Sequence, residues 1–213
     1  MNELTAVDVL LTPDESMLAL ARRINARLLT SVPAPTGFVL DEHHQPHITT
    51  LQRYVRTGDL DQVYAVIGDV LASVDLSTLK LTAHSLADIA VQPPVALAAI
   101  VIRPGPEVLD FQARLIDALS PYCGSGGTED AYVRTDAEPR INAATLQYIE
   151  NYVPEHSGEN YLAHVTVGLA TRADLDVWEA EPFDPLTFSA SGVGVYQLGN
   201  NGTAAKPLKT WTA

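Results

Sequence analysis

The sequence predicts an α+β fold made of two topologically equivalent halves. Two features predict it. The order strand, helix, motif strand, helix, strand pair is traced once from residue 4 to 103 and again from 95 to 212. Each pass also carries one copy of the same tripeptide pattern, histidine, apolar residue, threonine: His47-Ile48-Thr49 and His164-Val165-Thr166. Outside these motifs the halves share negligible identity, so the repeat is one of topology. A two-fold arrangement would place the two histidines symmetrically across a shared groove.

The elements follow in order. Residues 4–11, LTAVDVLL, read as a strand. Thr12-Pro13-Asp14-Glu15 reads as a helix start: Thr12 caps, Pro13 takes the first turn and Glu15 completes a capping box. Met17, Leu20, Ile24 and Leu28 recur at helical spacing and carry that helix to about Leu29. Proline-rich VPAPTG then leads through FVLDEHHQP into the first motif strand, HITTLQRYV. A second helix spans about 59–74, with Leu60, Val63, Ile67, Val70 and Val74 as its buried stripe. Strands follow at about 78–90 and 95–103. The second of these, VALAAIVI, is apolar on both faces and belongs in a sheet interior.

That strand also opens the second half. A helix at about 106–120 sets Val108, Gln112, Leu115 and Leu119 on one side. An insertion runs from about 121 to 160, with a short helix near 142–152. It reads equally as a lid or specificity element and as a surface excursion. The second motif strand, LAHVTVGLA, comes next, then a helix at about 172–180 capped by Thr171. Strands at about 185–198 and 203–212 close the chain, with Gly199-Asn200-Asn201-Gly202 as their hairpin turn. The whole, 1–213, is expected to form a single bilobal domain.

Bulk properties narrow the partners. Of the 213 residues, 46% are apolar, enough for a sizeable core. The formal net charge is −13, from 26 acidic and 13 basic residues. Non-specific nucleic-acid affinity rests on Lys and Arg neutralising phosphates, so long nucleic acid is not expected. A small phosphorylated ligand needs only a few local contacts and stays open. The single cysteine, Cys123, excludes a disulfide framework and a cysteine-based zinc site. The first residues have no basic segment ahead of an apolar run, so no signal peptide is expected. No apolar run approaches the roughly 20 residues of a membrane helix. A cytoplasmic monomer without membrane association is the expectation.

Alternation along a strand turns His47 and Thr49 to one face and Ile48 to the other, and does the same for His164 and Thr166 against Val165. Each motif strand then buries one face and offers an imidazole and a hydroxyl on the other. Two such pairs facing one cleft supply what phosphodiester cleavage needs. One histidine takes a proton from the attacking oxygen, the other gives one to the leaving oxygen, and the hydroxyls hold phosphoryl oxygens.

The paired tetrapeptides HITT and HVTV resemble the signature of the 2H phosphoesterase superfamily, which includes the LigT-like RNA 2′,3′-cyclic phosphodiesterases, also called 2′-5′ RNA ligases. HVTV fits the signature. HITT departs from it, with Thr50 where a hydrophobic residue is usual and Leu51 one place later. The resemblance implies a bilobal α+β fold, two pseudo-symmetric lobes each with an antiparallel sheet and flanking helices around a central cleft. It implies catalytic roles for His47, Thr49, His164 and Thr166, and no cofactor. The substrate it implies is a small nucleotide or short oligonucleotide, a 2′,3′-cyclic phosphate or 2′-5′ linkage. Ligation of RNA ends, nucleotide binding without turnover, and a packing role for both histidines remain alternatives.

Arg53 lies on the same ideal strand face as His47 and Thr49 and is a candidate to neutralise a phosphate; Tyr54 is a candidate to stack on a base. His43, His44 and His47 do not match a standard metal spacing, so no metal is expected. Gly124-Ser125-Gly126-Gly127 lacks the Gly-Lys-Ser/Thr of a phosphate-binding loop and reads as a flexible link.

Overall fold

The structure is a computed structural model that describes residues 3–34, 36–41, 44–92, 94–136 and 138–212, with the backbone alone for 90–92. Its strands are β1 (Leu4–Pro13), β2 (Ile48–Arg56), β3 (Lys80–Gln92), β4 (Val95–Pro104), β5 (His164–Thr171), β6 (Leu186–Leu198) and β7 (Ala204–Thr212). Its helices are α1 (Glu15–Ser31), α2 (Leu60–Leu71), α3 (Pro106–Leu119), α4 (Ala143–His156) and α5 (Arg172–Glu179).

All strand pairs are antiparallel, in the order β2-β1-β6-β3-β4-β5, with β7 also on β6. The long β6 joins two sheets: Leu186–Ser189 pair with β3, and Gly192–Gln197 pair with β1 and β7. On one side the order runs β2-β1-β6, on the other β5-β4-β3. Each motif strand therefore lies beside the opening strand of its half, which lies beside the third strand of the opposite half. The lobes are pseudo-symmetric and interlocked, and the end strands of the path, β2 and β5, come into contact. The helices cross over as well: α1 packs on β5, and α3 touches β2.

The main core unites both lobes. Val7, Val9 and Leu11 of β1, Ile48 and Leu51 of β2, Ile100 of β4 and Val165 and Val167 of β5 are all buried in it. Helix α3 adds Val108, Leu115 and Leu119 of the stripe its spacing predicts, with Phe111 beside them, and the fourth stripe member, Gln112, is buried too. β4 is interior to its sheet, as its two apolar faces require. A second cluster on the other face of β1 and β2 gathers Ala6, Tyr54, Ala131, Tyr132, Ile141, Ile149 and Leu198. The insertion builds that cluster, and its helix α4 packs on β2. Among the described residues no helix is long and apolar enough to cross a membrane.

The start of α1 differs from the sequence reading. Pairing between β1 and β6 carries the strand through Pro13, opposite Ala190. The cap is then Asp14 rather than Thr12, and its Oδ1 accepts from the Met17 N–H at 3.2 Å. Asp14 Oδ2 also accepts from the Ser189 N–H, so β6 fixes where the helix begins. Thr171 caps α5 as expected, and Asn142 caps α4.

Candidate active site

Both motif strands carry a one-residue bulge at the same place. In β2, Leu51 pairs with Val9 and Thr49 with Leu10, which leaves Thr50 without a partner in the ladder. In β5, Gly168 pairs with Ala98 and Thr166 with Ala99, which leaves Val167 without one. Thr50 and Val167 are each three residues beyond the motif histidine. A bulge residue resets the alternation of everything after it. Thr50, out of pattern as the fourth motif residue, is fully buried, and its hydroxyl donates to the Val9 carbonyl at 2.5 Å.

The histidines are held alike. Nδ1 of His47 is 2.8 Å from the carbonyl of Gln45, and Nδ1 of His164 is 2.9 Å from the carbonyl of Leu162, each two residues upstream. A carbonyl only accepts, so Nδ1 carries the proton in both rings and Nε2 is the atom left for exchange. Both histidines are half-buried. The Tyr161 hydroxyl, just before β5, donates to the Thr49 carbonyl at 2.7 Å and ties the approach of one motif strand to the other.

The surroundings of the two motifs differ. Beside Thr49 lies Asp8 of β1, fully buried. Its Oδ2 accepts from the Thr49 hydroxyl at 2.8 Å and from Gln52 Nε2 at 2.9 Å. Among the described residues its Oδ1 and the Oε1 of Gln52 are buried without a hydrogen-bond partner. Burial holds the Asp8 carboxyl above its ordinary range; the charge of His47 and the bonds from Gln52 and Thr49 oppose this. Burial, and then the charge of Asp8, push up the phenols of Tyr148 and Tyr161. His164 is displaced the other way. Burial lowers its pKa below the ordinary histidine value, the bond to Leu162 opposes this, and the charge of His47 lowers it further.

Two candidates lie away from the motif side chains. Arg53 comes after the bulge, so it shares the face of its partner Val7 rather than that of His47 and Thr49. Its Nε donates to Cys123 Sγ at 3.4 Å. Tyr54 returns to the Thr49 face but is only 2% exposed, with its hydroxyl 2.6 Å from that of Tyr132. Tyr54 is a packing residue where it stands, and Arg53 is half-buried on the face opposite Thr49. His44 stacks on Phe38 and pairs with Asp41, and His43 lies outside the described residues. Among the described residues no group of three or more His, Cys, Asp and Glu side chains is placed to hold a metal ion. Asp8 escaped the sequence reading, although a lone carboxylate inside the apolar run LTAVDVLL was its signal.

No protein-family model matches the sequence, and no curated protein matches it. Solved structures do resemble it in fold. TT0787 of Thermus thermophilus aligns over 98% of this chain and 97% of its own, with a TM-score of 0.58 and 12% identity. E. coli LigT complexed with 3′-AMP aligns over 99% and 98%, with a TM-score of 0.53 and 12% identity. E. coli LigT complexed with NADP+ gives 0.52 at 13% identity over the same shares. With its bilobal α+β architecture and its two interlocked sheets, the chain has the fold of the LigT-like 2H phosphoesterases.

Proposed function

We propose that the protein hydrolyses a phosphodiester bond in a small nucleotide or short oligonucleotide, with a 2′,3′-cyclic phosphate or a 2′-5′ linkage as the substrate class. The observation that carries this reading is the matched pair of imidazoles. Each is locked through Nδ1 to a carbonyl two residues upstream, on two motif strands in mutual contact, so both Nε2 atoms are available for proton transfer. The LigT structure with 3′-AMP supports a nucleotide as ligand, and the net charge of −13 disfavours a long polyanion.

The two halves take different roles. His164, whose environment disfavours the charged ring, is the general base. Its Nε2 accepts a proton from water as the water oxygen bonds to phosphorus. His47, next to the carboxylate of Asp8, is the general acid and gives its Nε2 proton to the departing ribose oxygen as the phosphorus–oxygen bond breaks. The product is a phosphomonoester with a free hydroxyl, and solvent exchange restores both rings. Thr166 donates to a non-bridging oxygen, and Thr49 does so by turning its hydroxyl from Asp8 to the phosphate.

The test is a panel of 2′,3′-cyclic mononucleotides and of 2′-5′ and 3′-5′ dinucleotides, assayed with and without EDTA. Hydrolysis of one class at an unchanged rate in chelator is the expected result. Tight nucleotide binding without turnover of any member would overturn the reading.

A further inference from the structure

We infer that Asn25 of α1 and Gln112 of α3 are positioning residues: a pair of buried amides that hold the two motif strands, and so the two candidate catalytic histidines, in fixed relation. Gln112 is 1% exposed and Asn25 3%. Gln112 Nε2 donates to the Thr50 carbonyl at 2.9 Å. Asn25 Nδ2 donates to the Val167 carbonyl at 2.8 Å. These are the two bulge residues, each three beyond its histidine. A bulge residue drops out of the ladder, so its buried carbonyl needs a partner from elsewhere. Here one amide, on a helix from the opposite half, meets that need in each case.

The acceptor end of each amide does something further. Gln112 Oε1 accepts from the Gly158 N–H at 2.9 Å, six residues before His164. Asn25 Oδ1 accepts from the Leu40 N–H at 3.2 Å, seven residues before His47, and its Nδ2 also reaches the Phe38 carbonyl at 2.9 Å. Each amide thus joins the bulge of one motif strand to the approach segment of the other. Gln112 binds β2 to the chain entering β5; Asn25 binds β5 to the chain entering β2. A planar side-chain amide, with donors on one atom and an acceptor on the other, bridges a carbonyl and an N–H in this way, whereas a hydroxyl or an aliphatic group of that length does not. At Gly168, where φ is +145° next to the β5 bulge, an added Cβ would lie 3.1 Å from Asn25 Nδ2, so the clamp is closely fitted there.

The kinetic part of the inference rests on the phosphodiesterase reading; the spectroscopic part does not. The experiment compares Gln112→Met and Asn25→Leu, which keep the volume and remove the bridge, with Gln112→Glu, which keeps the bond from Gly158 and turns an oxygen on the Thr50 carbonyl. Steady-state constants are measured on the best substrate of the panel. Long-range proton–nitrogen spectra follow the histidine rings, and thermal melts confirm folding. A clamp predicts that each variant moves the ring signals of both His47 and His164, leaves those of His84 in place, and lowers kcat about 10–100-fold with KM changed less than about threefold. If the wild type turns over nothing, the function is wrong, and the ring signals still decide the clamp. A folded variant of either residue whose His47 and His164 signals do not move, or whose kcat stays within about twofold of wild type, overturns the inference. If the apolar variants do not fold, Gln112→Glu is read by the same two criteria.

Discussion

Asp8 accepts the hydroxyl proton of Thr49 at 2.8 Å, and the second motif has no such arrangement among the described residues. The register makes the difference explicit. Asp8 stands opposite Gln52, five residues beyond His47; the corresponding position in the other half is Leu97, opposite Leu169, five beyond His164. A polar pair on one side thus answers an apolar pair on the other. The fold repeats, but its electrostatics do not, and the proposed division of acid and base roles between the two histidines rests on that asymmetry.

The first prediction concerns Asp8→Asn. A fully buried carboxyl with a raised pKa opposes folding wherever it must ionise. That cost is complete above the folded-state pKa, falls as the pH drops through it, and is gone below the unfolded value of about 3.8. The substituted amide keeps an acceptor for Thr49 and bears no charge. The variant should be more stable than wild type at pH 7 by on the order of 1–2 kcal/mol, with the gain vanishing below pH ~4. Denaturant titrations at both pH values measure it. Destabilisation at pH 7 that shrinks at the acid pH would show that Asp8 contributes as an ordinary ionised partner.

The second concerns pH. With His164 as the base, the rate rises as that ring loses its proton. Because burial lowers its pKa, the acidic limb of kcat/KM should fall below the reference histidine value of 6.5. A pH–rate profile checks the sign. A limb clearly above 6.5 would reverse the displacement and the assignment with it.

The third separates packing from chemistry. Arg53→Ala should leave kcat/KM within about twofold, because the guanidinium faces Cys123 rather than the motif side chains. Tyr54→Phe should cost roughly 1–2 kcal/mol of stability by stranding the Tyr132 hydroxyl, again with little effect on turnover. A large fall in kcat/KM for a folded Arg53→Ala would return that residue to the site.

These residues also mark how far the sequence could be read. Periodicity in the stripe through Val108, Leu115 and Leu119, the two-faced apolarity of β4 and the paired tripeptides are local signals, and each led to an element that exists. The bulges are not local. Whether Thr50 is paired depends on where Val9 and Leu10 lie on the neighbouring strand, so Arg53 inherits a face that alternation within β2 alone assigns wrongly. The cap at Asp14 is set by Ser189, 175 residues away. Gln112 showed itself as a member of a buried stripe. Its two partners, Thr50 and Gly158, belong to segments 62 and 46 residues distant and become visible only in the fold.

The proposed function requires His47 and His164 to act as one unit on a single phosphorus. The measurement that tests this most directly is turnover of a 2′,3′-cyclic mononucleotide by wild type, His47→Ala, His164→Ala and the double variant. Each single substitution should cost about 10²–10⁴-fold in kcat with little loss of thermal stability, because both rings are only half-buried. The double variant should be scarcely slower than either single one, since removing one member already disables the pair. A single variant that keeps near-wild-type kcat, or losses that multiply in the double variant, would contradict a shared acid–base mechanism.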